Sequence, residues 1–353
     1  MAGGWVGHVS GPDGLTPHAA ARRRAAMSEL VEAESVRSPP RGEARVQLET
    51  GYVASSGDAR IRFAHALPDG DGARARGTAV VLPGRAEFVE KYEGTFADLL
   101  ARRFAVAALD WRGQGMSDRL LPRREPGHVA DFGDYLGDLD AVLGRLDALG
   151  MPRPFVMLAH SMGGHVGLRH LHDRPGRFAA AALTAPMFGI RLHPLPFPLA
   201  RLVAATGVLM GGVARFAPGQ RAFDAARCRF EGNPLTGCPE RFGSFRDLLV
   251  ARPELALGGV TYGWLDAALR SIALTRRRGY VEAIATPVLV CQSALERIVC
   301  NRSQTELARR LPNGRLVSFP DARHEVLMER PPVRERFFAT FEAFLAEALP
   351  AQA

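Results

Sequence analysis

The segment Val156-Met157-Leu158-Ala159-His160-Ser161-Met162-Gly163-Gly164-His165 passes from an apolar run straight into a helical pattern through small-x-Ser-x-Gly. Few folds tolerate that junction. A serine at a sharp strand-to-helix turn sits in strained backbone, so the residues two positions away must be small enough to clear the neighbouring strands and the helix. Here they are Ala159 and Gly163. Ala159 stands where Gly is usual, and one extra methyl does not forbid the turn. Such a serine is either a nucleophile held at the end of a parallel sheet or a plain helix cap. The rest of the chain must decide.

From Ala44 onward, short β-rich runs alternate with helical stretches. The runs predict strands at 44–50, 60–66, 78–82, 105–109, 154–159, 179–184, 287–292 and 315–319. The first two alternate apolar and polar residues and read as an antiparallel edge; the later ones are apolar throughout, as parallel strands covered on both faces must be. Helices are expected at about 91–102, 133–149, 162–173, 302–311 and 332–347, which completes a βα alternation. Between Phe188 and Tyr280 roughly 90 residues carry no strand pattern. They read as an inserted lid over 189–280, interrupting a core of 44–188 and 281–349. Its amphipathic pieces, Leu199 to Phe216 and Trp264 to Leu274, read as packing surfaces.

Residues 1–43 are rich in Gly, Ala, Pro, Ser and Arg without periodicity and are expected to be mobile. Arg22 to Arg24 precede acids, not the apolar core of an export signal, and Met27 offers a second start. The longest uncharged apolar run of the lid, Leu202 to Ala214, falls short of the ~20 residues a membrane span needs. Cys228, Cys238, Cys291 and Cys300 show no disulfide framework or metal spacing.

The formal charge of +8 raises the question of a nucleic-acid partner. All 45 basic residues except Lys91 are arginine, spread among 37 acids without a cluster, so no nucleic-acid partner is expected. Hydrophobic residues at 47% and charged residues at 23% allow a sizeable buried core.

A nucleophilic serine needs a base and an acid, which in this order of elements follow it as acid and then His. His324 is the one histidine after His193, and it lies just past the last expected strand. Glu296, the sole carboxylate in the loop after 287–292, precedes it by 28 residues, room for a helix and a strand. Asp321 is the fallback acid. Two backbone N–H groups must also face the developing oxyanion. Met162 follows the nucleophile, and Arg85 lies in the loop after 78–82, where Gly84 lets the backbone come close to a substrate. The Arg85 side chain is expected in solvent.

Four stretches together resemble a known group: Pro83 to Tyr92, Asp110 to Ser117, Ala159 to Gly164 and Ala322 to Glu325. They look like the lysophospholipase and monoacylglycerol lipase branch of the α/β-hydrolase superfamily, over about residues 44 to 347, and the Pro83-Gly84-Arg85 form looks closest to bacterial lysophospholipases. Asn233 to Thr236 and Gly258 to Trp264 are similar to that group too. The resemblance implies an α/β-hydrolase fold: a mostly parallel eight-stranded sheet, helices on both faces and an inserted lid. It implies Ser161, Glu296 and His324 as catalytic residues, with Glu in the acid position as in those bacterial enzymes. Arg85 and Met162 would form the oxyanion hole, and Gly84, His160 and Trp264 would face substrate. Asp110, Arg112 and Gly113 are assigned to loop geometry and ion pairing.

The expected function is a serine carboxylester hydrolase acting on a lysophospholipid or monoacylglycerol, with neither metal nor organic cofactor. Its partner is a small-molecule lipid ester. A cytoplasmic location is expected, with peripheral contact at the inner face of the membrane as a further option, and the oligomeric state is open. The alternatives are an aminopeptidase or small-ester hydrolase of the same fold, or a scaffold that binds a small molecule without turnover.

Overall fold

Eight strands form one sheet: β1 (Glu49–Ala54), β2 (Arg60–Ala66), β3 (Thr78–Leu82), β4 (Ala105–Leu109), β5 (Phe155–His160), β6 (Ala180–Thr184), β7 (Val288–Ser293) and β8 (Gly314–Phe319). They lie side by side in the order β1-β2-β4-β3-β5-β6-β7-β8. The computed structural model describes residues 46–69, 75–192 and 195–349. The amino-terminal extension expected over 1–43 lies outside these residues. β1 pairs with β2, and β2 with β4, in antiparallel fashion; every later pairing is parallel.

Successive side chains leave a strand on opposite faces, so an uninterrupted apolar run supplies two cores at once. Val80, Leu82, Met157, Ala159, Leu183 and Val290 enter one buried layer. Ala79, Val81, Val156, Leu158, Ala182 and Leu289 enter the other. The first layer is covered by α2 (Gly133–Ala148), α3 (Ser161–Asp173) and α7 (Asn301–Arg310), the second by α1 (Glu93–Ala101) and α8 (Pro331–Ala348). Leu136, Leu139, Val142 and Leu146 of α2 recur every three or four residues, as one buried face requires. Each large apolar side chain removed from water contributes about 1.5–3 kcal/mol, so covering both faces is what makes the parallel centre stable.

Two elements depart from the sequence reading by more than one residue. The first strand, expected at 44–50, spans Glu49–Ala54 because its register is set by the tight turn after it: Ser55 N–H donates to Ala59 O at 2.8 Å and Val53 stands opposite Ile61. The helix expected from 91 starts at Glu93, after a 3₁₀ turn over Val89–Tyr92.

Between β6 and β7 stand α4 (Phe197–Gly207), α5 (Pro239–Ala251) and α6 (Tyr262–Thr275), with no strand among the described residues. α6 spans the second amphipathic piece of the sequence, Trp264 to Leu274, whereas α4 covers only the first half of Leu199 to Phe216 and gives way at Val208 to a turn with Gly211 at φ of 78°. α5 carries no clear apolar stripe, burying only Phe242 and Leu249. No helix of the described residues is long and apolar enough to cross a membrane.

The sheet order fixes where a site can form. From β3 the chain winds one way to β4 and then the other way to β5, so the loops after β3 and β5 leave the sheet side by side, with Leu82 opposite Ala159. The crevice at such a reversal is where open α/β sheets bind ligands. This architecture, helix-covered and mostly parallel, is the α/β-hydrolase fold.

Candidate active site

Ser161 occupies the junction of β5 and α3 with φ of 50°, a left-handed backbone that a side chain rarely adopts. Its surroundings explain the small residues. A Cβ on Gly163 would come within 2.3 Å of Leu82 O and 2.5 Å of Pro83 O, and one on Gly164 within 2.9 Å of Pro186 Cβ. The turn therefore closes directly onto the loop after β3. Ser161 is 7% exposed and His324 4%.

His324 Nε2 lies 3.0 Å from Ser161 Oγ, and its Nδ1 lies 2.7 Å from Glu296 Oε2. The other Glu296 oxygen accepts the N–H groups of Ile298 and Val299 at 2.7 and 3.2 Å. Burial pushes the Glu296 pKa up, but the hydrogen bond and charge of His324 and the two amides outweigh it and hold the carboxyl below its usual range. An ionised carboxylate then faces the Nδ1 side, which keeps Nε2 free to accept from Ser161. Asp321, the fallback acid, is exposed in the turn after β8. The structure brings the three residues named from the sequence into one hydrogen-bonded line.

The loop after β3 is pinned on both sides of Arg85. Gly84 N–H donates to Glu87 Oε2, and Ala86 N–H donates to Gln114 Oε1 at 2.8 Å. The amide of Arg85 has no partner among the described residues. Met162 N–H belongs to the first turn of α3, whose amides have no partner within the helix. These are the two amides expected to face the oxyanion.

Other assignments change. The Arg85 side chain is not in solvent: Nη1 donates to Gly258 O at 2.9 Å, and burial lowers the guanidinium pKa. The segment between β6 and β7 reaches over this loop and offers a carbonyl that draws the side chain in. Gly84 is glycine because a Cβ would lie 2.8 Å from Glu87 Oε2 and 3.0 Å from His160 Cδ2, so the loop's own packing accounts for it. Trp264 is buried and packs edge-on against Phe132 within the core, with Phe132 in turn edge-on against Tyr135. His160 lies behind the base, its ring 4.7 Å from that of His324 and its Nδ1 3.1 Å from Thr184 O. Burial lowers its pKa to about 4, so it is neutral at physiological pH. Asp110 accepts from Arg62, Val89 and Met116, and Arg112 forks onto Asp138, in line with ion pairing and loop geometry.

Sequence reasoning gave no role to Glu87, Lys91, Tyr92 and Glu325, which form a buried cluster beside His160. Lys91 Nζ lies 2.7 Å from Glu87 Oε1 and 2.6 Å from Glu325 Oε1, and Tyr92 donates to Glu87 Oε2 at 2.6 Å. Glu87, His160 and Glu325 offer donor atoms within 4.8 Å of one another, a set that can hold a cation, and the Lys91 ammonium is the cation that sits between the carboxylates. Burial pushes Glu87 up, yet Lys91 and His160 outweigh it and bring its pKa down to about 2. Burial pushes the Glu325 carboxyl up. Two signals in the sequence pointed to the cluster: Lys91 is the chain's only lysine, and all four residues lie in the stretches Pro83 to Tyr92 and Ala322 to Glu325 that carry the family resemblance.

Residues 73–331 match the family described as serine aminopeptidase, S33. Among individual proteins, the chain is similar to the probable lysophospholipase L2 of Haemophilus influenzae, with 28% identity over 300 residues that cover 85% of this chain and 92% of the relative. It shares 34% identity over 265 residues with lysophospholipase L2 of Escherichia coli K12, covering 72% and 76%. Among solved structures, a soluble variant of monoglyceride lipase from Saccharomyces cerevisiae in complex with a substrate analog superposes with a TM-score of 0.68 at 17% identity, over 88% of this chain and all of that one. That likeness speaks for the fold.

Proposed function

The chain belongs to the serine aminopeptidase S33 family of α/β-hydrolases, and from that premise we propose that it is a carboxylic ester hydrolase that releases the fatty acid from a lysophospholipid or monoacylglycerol. The observation that carries the reading is the His324 ring set between Ser161 Oγ and Glu296 Oε2. Ser161 Oγ attacks the ester carbonyl as its proton passes to His324 Nε2. The carbonyl oxygen becomes an oxyanion facing the amides of Arg85 and Met162, a stabilisation of about 3–4 kcal/mol per donor in comparable sites. The His324 cation, steadied by Glu296, returns the proton to the leaving alcohol as the C–O bond breaks. Water, deprotonated by His324, then attacks the acyl-serine and frees the acid.

The names of the two relatives, matched over 92% and 76% of their own length, favour a lipid ester over other substrates. The family description favours a second reading, cleavage of an aminoacyl amide. A fluorophosphonate adduct that forms on the wild type and not on Ser161→Ala tests the chemistry; no Ser161-dependent adduct sinks it. Comparing lysophosphatidylcholine, a monoacylglycerol and an aminoacyl amide as substrates separates the two readings.

We read 189–280 as a lid that also meets an anionic bilayer at the cytoplasmic face. Leu199, Leu202, Leu209, Met210 and Val213, on α4 and the turn after it, are exposed, Leu209 by 86% and Met210 by 81%. From Arg174 to Phe223 there is no Asp or Glu, while Arg191, Arg201, Arg215 and Arg221 lie in this stretch. An apolar ridge among cations matches a negatively charged lipid surface.

A further inference from the structure

A chain that uses arginine for every other cation keeps one lysine, and keeps it buried beside the base. The choice of residue has a geometric reason. Two carboxylate oxygens converge on Lys91 Nζ at 2.7 and 2.6 Å, and the Phe245 ring of α5 closes a third side at 4.4 Å. An ammonium is a compact charge with three donors, whereas a guanidinium is a flat, larger fork that fits less readily between two carboxylates and a ring at these distances.

The two carboxylates belong to different loops. Glu87 lies in the loop after β3, and its second oxygen accepts from Gly84 N–H and Tyr92 Oη. Glu325 is the neighbour of His324 in the loop after β8. One ammonium therefore ties the loop that offers the Arg85 amide to the loop that offers the imidazole. With Glu87 holding residue 84 and Gln114 holding residue 86, the amide between them is fixed in direction.

We infer that Glu87 and Lys91 are a positioning pair: Glu87 sets the Arg85 amide toward the oxyanion, and Lys91, bridging Glu87 to Glu325, keeps that amide in register with His324. This rests on the hydrolase reading above. Neither residue touches substrate, and neither exchanges a proton in the reaction.

The test uses Glu87→Gln, Lys91→Met and the double variant of the full chain, assayed on an ester the wild type turns over. Glu87→Gln keeps the shape but turns an amide group toward Lys91, and Lys91→Met removes the bridge. Each single variant is expected to lose about 100-fold in kcat with KM within about threefold, the pattern of a contact made only in the transition state. Affinity for a trifluoromethyl ketone, whose serine adduct carries an oxyanion, should fall by about the same factor as kcat/KM. The double variant removes both buried charges of the pair, so it should regain melting temperature lost by Lys91→Met and remain slow. Folded variants with wild-type kcat and ketone affinity overturn the proposal, as does a double variant that regains kcat together with its melting temperature. A wild type that binds neither ketone nor fluorophosphonate overturns the hydrolase reading, and the positioning role with it.

Discussion

Arg323 Nη1 donates to Thr236 O at 2.9 Å and to Asn233 O at 3.1 Å, tying the segment between β6 and β7 to the residue that precedes the imidazole. The backbone repeats the tie: His324 N–H reaches Pro234 O at 3.3 Å and Glu325 N–H reaches Leu235 O at 2.8 Å. Placement of the base thus depends on a segment far from it in sequence. Arg323→Ala is expected to lower kcat about tenfold and to destabilise the protein by about 1.5–3 kcal/mol, the range for hydrogen bonds from a charged donor. Arg323→Lys should not restore both, because the lysine side chain ends one bond short of the position from which Arg323 Nη1 reaches the two carbonyls. Steady-state kinetics beside urea unfolding checks both; unchanged kcat in Arg323→Ala would break the link.

Glu296→Gln should reduce kcat by about 10³–10⁴-fold while leaving KM nearly unchanged, since the imidazole loses both its orientation and the partner for its cation. Glu296→Asp should recover part of the rate. If Glu296→Gln turns over like the wild type, the acid must be sought elsewhere, with Asp321 the first position to substitute.

Acid lability follows from the buried histidines, His160 and His165 most strongly. Burial drives His160 to about 4 and His165 to about 3. In the unfolded chain both titrate near 6.5, so between about pH 6.5 and 4 the unfolded state binds protons that the native state does not. Stability must then fall as pH is lowered, at up to about 1.4 kcal/mol per pH unit for each histidine. Glu87, held down to about 2, has the same sign in a lower window: its contribution is complete above the unfolded carboxylate pKa and is lost as pH falls through 2. Urea midpoints measured from pH 7.5 to 4.5 should decline steeply. His165→Gln, which can still bond Ser271 Oγ, should flatten that slope; an unchanged slope would show that His165 does not stay neutral.

The membrane reading makes a separable claim. Leu209→Asp with Met210→Asp should cut flotation with phosphatidylglycerol vesicles at least about tenfold, because each substitution exchanges buried apolar area for a charge repelled by the surface. Hydrolysis of a short, water-soluble ester should be untouched. Equal flotation of the variant and the wild type would remove α4 and the turn after it from any lipid contact.

The central strands and their helices were legible because local pattern and global role agree there: Thr78–Leu82 and Phe155–His160 are apolar throughout, and the structure covers both their faces. The Ser161 junction was legible for a similar reason, since the backbone approaches at Gly163 leave no room for another residue. What escaped depended on distant partners. α5 buries only two of its residues, so no stripe marks it in advance. The Arg85 side chain finds its acceptor at Gly258, 173 positions away, and nothing nearby in sequence announces that bond. Trp264 sits in a motif stretch yet packs on Phe132, which shows that a motif residue can serve the core. The Glu87–Lys91–Glu325 cluster joins loops 234 positions apart; the single lysine and the two motif stretches marked its members, but nothing in the sequence marked their contact.

That single lysine also makes the protein easy to watch. Lysine labelled with ¹⁵N reports from one side chain only, and that side chain sits where three elements meet: the loop after β3, the loop after β8 and the Phe245 ring of α5. Its ammonium resonance needs no assignment by mutation. The ring current of Phe245 makes its shift sensitive to the position of α5, so one peak in a titration with inhibitor or vesicles reads out that helix while the enzyme itself stays unmodified.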